Sequence, residues 1–170
     1  METDSGLRVI SPDAEAAVLT LNNAHATELS WLDAEHLATL LGKAFHARGI
    51  GAMRAFLLAF DENAEYDSPN YRWFRARYPR FVYVDRVVVE PVARGLGHAR
   101  RLYADLIGRA MEAGHDVIVC EVNSDPPNPA SDAFHAKLGF AEVGSAIIHG
   151  GGKTVRYLAL RIAVAREMET

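Results

Sequence analysis

Apolar positions along this 170-residue chain recur with two periods. Spacing of three and four residues marks helices, and dense or alternating runs mark strands. The densest block, FVYVDRVVV from Phe81 to Val89, is rich in aromatic and β-branched residues and predicts a strand. Val87, Val88 and Val89 do not alternate with polar residues, as expected for a strand covered on both faces. Glu90-Pro91 ends it, because proline has no N–H to give to a ladder. A turn follows, Arg94-Gly95-Leu96-Gly97-His98-Ala99. Leu102, Tyr103, Leu106, Ile107, Ala110 and Met111 then return at helical spacing, with Gly114 closing that helix.

The same reading covers the rest of the chain. Ala14–Asn22 is expected as a first strand and Ala24–Leu29 as a short helix. A helix to about Lys43 starts at Ser30 as N-cap, with Asp33 at the capping-box position, and buries Leu37, Leu40 and Leu41. Phe45–Arg48 and Met53–Phe60 predict a hairpin turned at Gly49-Ile50-Gly51. Asp61–Arg80 is long and aromatic, with a cap at Asp67-Ser68-Pro69-Asn70 and a short helix from Asn70 to Tyr78. Such a stretch is either a lid or binding element, or an aromatic cap on one edge of the core. Asp116–Asn123 predicts a buried strand, parallel to the Phe81 strand because a helix connects them. Asn128 caps a further helix, with Pro129 at its first position, that runs to Leu138 and stops at Gly139. Phe140–His149 and Lys153–Ile162 predict two final strands. One α/β domain over residues 1–170 is expected.

Composition narrows the class. Hydrophobic residues at 49% and charged residues at 24% are ordinary for a globular chain. A net charge of −4 argues against a nucleic-acid partner. No apolar run reaches the ~20 residues of a membrane span, and Met1–Ser5 carries no signal-peptide pattern. The single cysteine, Cys120, lies in an apolar strand and suits a buried thiol in a reducing cytoplasm. The histidines are scattered without metal-ligand spacing, so no metal is expected.

Strand, glycine turn and helix together can bind phosphate. The first helical turn leaves N–H groups unpaired at the positive end of the macrodipole. Gly95 and Gly97 would let a pyrophosphate approach the main chain, and Arg94, Arg100 and Arg101 add positive charge. A plain connecting turn is the alternative. Arg100 stands where a dinucleotide fingerprint needs glycine, and the Gly-Lys-Ser/Thr of a Walker loop is absent. What remains is Arg-x-x-Gly-x-Ala at Arg94, Gly97 and Ala99. It resembles the acyl-CoA pyrophosphate loop of the GNAT superfamily of N-acetyltransferases, Gln/Arg-x-x-Gly-x-Gly/Ala. A second motif agrees. Asn128, Ser131, Phe134, His135, Gly139 and Phe140 fall on the positions of the superfamily's Asn-x-x-Ala-x-x-Leu-Tyr-x-x-x-Gly-Phe helix. Cys120-Glu121-Val122-Asn123 is similar to the Leu-Glu-Val-Asn that precedes it. The element order matches from about residue 8 to 162. Leu21–His25, Ala55–Asp61 and Tyr66–Asn70 further resemble a group of bacterial GNAT proteins of unassigned substrate.

The resemblance implies a GNAT fold, with a mixed, mostly antiparallel sheet flanked by helices and one parallel pair at the acyl-CoA cleft. It implies transfer of an acetyl group from acetyl-CoA to a primary amine of a small molecule, amino acid or protein N-terminus. A non-catalytic acyl-CoA-binding module and a transferase of a larger acyl group stand as alternatives. Backbone N–H groups near Val87, Val88 and Val89 would receive the oxyanion. Arg94, Gly95, Leu96, Gly97, His98, Ala99 and Arg100 would hold the pyrophosphate, with Asn128, Ser131 and Phe134 along the pantetheine arm. Glu121 matches the base of the ribosomal-protein acetyltransferases, and desolvation in an apolar strand would raise its pKa toward a useful range. It would otherwise be a strand-end glutamate facing solvent. Tyr83 is the second candidate base. Asp85 is the third, or else an ion-pair partner of Arg86. His135 stands where the family's acid is tyrosine; it would either protonate the thiolate or pack against CoA. Glu28, Ser30, Trp31, Asp85, Asn123 and His149 are candidates around the amine. A homodimer is open.

Overall fold

A computed structural model of the chain describes residues 6–26 and 29–163. These fall into two compact units, one from stretches 1–65 and 84–109 and the other from 66–83 and 110–170. In the first unit, β1 (Leu7–Val9) pairs antiparallel with β2 (His46–Ile50), and β2 with β3 (Ala55–Asp61). β3 is buried from Ala55 to Phe60, as its unbroken apolar run requires. Strand β1 was not foreseen: its three residues are exposed and carry no period of their own.

Four expectations in this unit need correction. The stretch expected as a first strand is helix α1 (Glu15–Ala24). Its buried residues, Val18, Leu21 and Asn22, recur at helical spacing, and its alanines favour a helix over a strand. The short helix expected at Ala24–Leu29 is a turn at His25 and Ala26, and Thr27 and Glu28 lie outside the described residues. The next helix, α2 (Ala34–Lys43), is capped by Asp33 and not by Ser30. Asp33 Oδ1 accepts from the His36 N–H at 2.7 Å, while the preceding chain is held elsewhere. Asn23 grips Leu32 from both sides, accepting from its N–H at 2.9 Å and donating to its carbonyl at 2.8 Å. The β2–β3 reversal comes at residues 51–54, later than expected. Gly49 and Ile50 remain in β2, opposite Phe56 and Ala55. Gly49 serves packing: a Cβ there would collide with the Met53 side chain.

Two elements pass from one unit into the other: β4 (Val82–Val89) and α4 (His98–Glu112). The three valines of β4 are not uniformly covered. Val88 is buried, but Val87 and Val89 are only half-buried, so this end of the strand has one open face.

The second unit holds α3 (Pro69–Arg75), β5 (Val117–Asp125), α5 (Pro129–Leu138), β6 (Ala141–Ile148) and β7 (Lys153–Arg161). Within it Val82 and Tyr83 pair in parallel with Ile118 and Val119. β5 pairs antiparallel with β7, and β7 with β6. α3 starts at Ser68, whose side chain accepts from the Tyr71 N–H, with Pro69 in the first turn. Tyr71 and Phe74 on this helix are fully buried. The aromatic stretch is therefore a cap on the core of its unit. Among the described residues the strand order is β1-β2-β3-β4-β5-β7-β6, mostly antiparallel with β4 and β5 parallel. No helix there is long and apolar enough to cross a membrane.

Candidate active site

In the first unit the candidate phosphate loop is built from main chain. β4 ends at Val89, residues Pro91–Ala93 make one 3-10 turn, and α4 begins at His98. Gly95 and Gly97 stand at φ +82° and +79°, a left-handed region that side-chain-bearing residues rarely adopt. Two such residues bracketing Leu96 curl the backbone into a concavity of N–H groups. A Cβ at either glycine would meet no heavy atom within 4 Å, so the concavity is open. The first α4 bond runs from the Arg101 N–H to the Gly97 carbonyl at 3.0 Å, so the N–H groups of His98, Ala99 and Arg100 precede the ladder. No acidic residue sits in the first turn to compete for them. A pyrophosphate fits this donor set. The His98 ring is buried in its unit, and its Nδ1 has no hydrogen-bond partner among the described residues.

Arg94 of the loop is held by a histidine that the sequence reading left without a role. His25 Nδ1 lies 3.0 Å from the Leu21 carbonyl, which can only accept, so Nδ1 carries the proton. Nε2 then faces the Arg94 guanidinium at 3.4 Å. Asp85 and Arg86, consecutive on β4, form an ion pair at 2.7 Å with side chains only 5% exposed. Arg86 also donates to Asn22 Oδ1 at 2.9 Å and to the Ser30 carbonyl at 3.3 Å. Asp85 is thus committed to an arginine that anchors the Ser30 turn. Trp31, next along that turn, is 62% exposed. Glu28 lies outside the described residues.

In the second unit the candidate residues meet through side chains. Tyr83 on β4 donates its hydroxyl to Glu121 Oε1 on β5 at 2.9 Å. Asn70, in the first turn of α3, donates its amide to the same oxygen at 3.0 Å. The Tyr157 hydroxyl donates to Asn70 Oδ1 at 2.9 Å, from the β7 residue directly opposite Glu121. Tyr83 and Tyr157 are each 1% exposed, and Glu121 is half-buried. Burial, and then the Glu121 charge, push the Tyr157 hydroxyl up to about 12, against an opposing effect of Arg77. Trp73 stacks on Tyr157 with ring centroids 4.2 Å apart, and the Arg77 guanidinium lies 3.8 Å over Trp73. Asn70 and Tyr157 were missed in the sequence. Their only trace was the Tyr-Asp-Ser-Pro-Asn segment and the alternation of Val155, Tyr157 and Ala159 on β7.

The candidate residues of α5 contact one another. Asn128 Oδ1 accepts from the Ser131 N–H at 3.3 Å as the N-cap, and Phe134 meets the His135 ring edge-on at 5.3 Å. His135 is 4% exposed, and its Nδ1 donates to the Ser131 carbonyl at 2.7 Å. Burial lowers its pKa, only partly offset by that bond and by Asp132. The ring is therefore neutral at neutral pH, with its proton on the nitrogen facing Ser131. Asn123 stands two residues beyond Glu121 on β5, half-buried, and His149 takes a left-handed φ of +54° at the β6–β7 turn.

Comparison with known proteins gives the family that both motifs resemble. None of the curated proteins matches the chain. The fold is similar to the ribosomal-protein-S18-alanine N-acetyltransferase of Escherichia coli, with TM-score 0.69 and 17% identity over 98% of this chain and 99% of that one. It is similar to a phosphinothricin acetyltransferase of Sinorhizobium meliloti solved with acetyl-CoA, with TM-score 0.69 and 18% identity over 94% of this chain and 89% of that one. It is also similar to NAA60 of Arabidopsis thaliana solved with a bisubstrate analogue, with TM-score 0.73 and 14% identity over 94% and 99%. The family model described as Acetyltransferase (GNAT) family matches residues 26–140, more than half the chain. With its glycine loop opening α4 and its glutamate on β5, the chain belongs to the GNAT family of acetyltransferases.

Proposed function

We propose that this protein transfers the acetyl group of acetyl-CoA to a primary amine on a small molecule, amino acid or peptide N-terminus. The observation that carries the reading is the Glu121 carboxylate, fixed on β5 by the Tyr83 hydroxyl inside an aromatic shell. The Arg94–Arg100 loop offers N–H groups and cations to a pyrophosphate. Bound acetyl-CoA supplies an acyl group activated as a thioester. Glu121 takes a proton from the acceptor ammonium, directly or through one water, and frees the nitrogen lone pair for attack. Backbone N–H groups at the open end of β4, Val87–Val89, donate to the developing oxyanion. Neutral His135 keeps its proton on Nδ1 and has none to give from Nε2, so in this reading the thiolate leaves without its help. Asp85, ion-paired with Arg86, positions the Ser30–Trp31 turn instead of acting as base.

The test is calorimetric titration of acetyl-CoA, followed by a thiol-release screen of amines, amino acids and peptides with free N-termini. The expected result is saturable binding and turnover of at least one amine. Binding without turnover of any amine would favour an acyl-CoA-binding module. Turnover only with propionyl- or succinyl-CoA would favour a larger acyl donor.

A further inference from the structure

We propose that Asn70 and Tyr157 are positioning residues for Glu121, orienting its carboxylate and holding it ionised. The inference rests on the reading of Glu121 as the base. Asn70 sits in the first turn of α3, where an asparagine ordinarily serves the helix cap. Here Ser68 caps the helix, and the Asn70 side chain is free of that work. It turns to the sheet and is 91% buried, being only 9% exposed.

The hydrogen bonds have a defined direction. Asn70 Oδ1 faces the Tyr157 hydroxyl and can only accept, so Tyr157 donates. The amide nitrogen must then point to Glu121 Oε1, where it donates at 3.0 Å. Tyr83 donates to the same oxygen at 2.9 Å. Two donors converging on one carboxylate oxygen favour its charged form, which counters the penalty of half-burial in an apolar strand. The Tyr157 ring cannot swing away, because Trp73 stacks on it at 4.2 Å and Phe74 meets it edge-on at 5.1 Å. The charged and titratable groups near this cluster include Tyr83 from β4, Tyr157 from β7, Tyr71 from α3 and Arg77 just beyond the end of α3. The aromatic segment before β4 thereby gains a job beyond packing: it delivers Asn70.

The variant Asn70→Asp separates positioning from plain structure. It keeps the shape and the Tyr157 partner, but replaces the amide donor with a second carboxylate. Two carboxylates in contact cannot both ionise cheaply, so the titration midpoint of Glu121 should rise by about one pH unit or more. The readout is the carboxyl carbon resonance of Glu121 in protein labelled with 13C-glutamate, assigned by its loss in Glu121→Gln and followed from about pH 4.5 to 8. Tyr157→Phe, which only loosens Asn70, should raise the midpoint by a smaller step and keep the fold. In turnover of the amine found by the screen, both variants should lower kcat with the acetyl-CoA affinity unchanged. An unmoved midpoint in both variants, with a lowered Tm alone, would overturn the inference and leave the two residues structural. Full turnover in Glu121→Gln would overturn the base assignment instead, whatever the midpoints do.

Discussion

The two regions on which the proposed function rests are built by opposite means. The Arg94–Ala99 loop is made of backbone: two left-handed glycines, a helix start and an open concavity, with Leu96 63% exposed beside it. The Glu121 cluster is made of side chains from α3, β4, β5 and β7, locked by hydrogen bonds of 2.9 to 3.0 Å and by stacked rings. A backbone site tolerates most side-chain changes and fails when φ is constrained. A side-chain network fails when one polar atom is removed. The contrast gives each region its own characteristic break.

The largest effect is expected at Glu121. Glu121→Gln keeps the shape and removes the base, so kcat/KM should fall about 10²- to 10⁴-fold, as general-base deletions do, read in the thiol-release assay. Next comes Gly97→Ala. Holding alanine at the φ of +79° costs about 1–2 kcal/mol, so acetyl-CoA affinity should fall roughly tenfold by calorimetry while the bound complex still turns over. The third break tests the rigidity of the side-chain region. A Cβ at Gly144 would run into the Trp73 ring, which is sandwiched by Tyr157 and Arg77 and has nowhere to go. Gly144→Ala should therefore cost about 1–3 kcal/mol of stability in a denaturant titration and lower kcat more than it weakens acetyl-CoA binding.

The smallest effect concerns His135 and pH. Its folded pKa is lowered by burial, so its contribution to stability is present above the unfolded value of about 6.5 and is lost as pH falls through the folded value. Wild type should lose denaturant stability on that descent, and His135→Gln should flatten the loss. Turnover in His135→Gln should change by less than about tenfold, since a neutral ring with its proton on Nδ1 supplies no acid.

How much of this was legible in the sequence follows the same division. The glycine loop is contiguous, and its rules are local: glycine spacing, proline after the strand, the stripe of α4. Asn128 and Pro129 at the head of α5 were legible for that reason too. The pairing of Tyr83 with Glu121 could be anticipated only through the resemblance, since 38 residues separate them. Asn70 and Tyr157 are 87 residues apart, and neither carries a period that betrays a buried hydrogen bond. Local rules also failed where tertiary contacts overrode them. Ser30 looked like a cap until Asn22 and Arg86 claimed its carbonyl, and Asp33 capped α2 in its place. Gly49 looked like a turn and proved to be the space that Met53 fills. Ala14–Asn22 looked like a dense strand run, but Val18, Leu21 and Asn22 recur at helical spacing and the alanines around them favour α1.

The central claim is a division of labour, with the loop holding the donor and Glu121 moving the proton. The most direct test measures acetyl-CoA affinity and amine turnover side by side in Gly97→Glu and Glu121→Gln. Gly97→Glu should lose binding and turnover together, while Glu121→Gln should bind acetyl-CoA as wild type does and fail to turn over. A Glu121→Gln protein that acetylates its amine at the wild-type rate, or a Gly97→Glu protein that still binds acetyl-CoA tightly, would contradict the account.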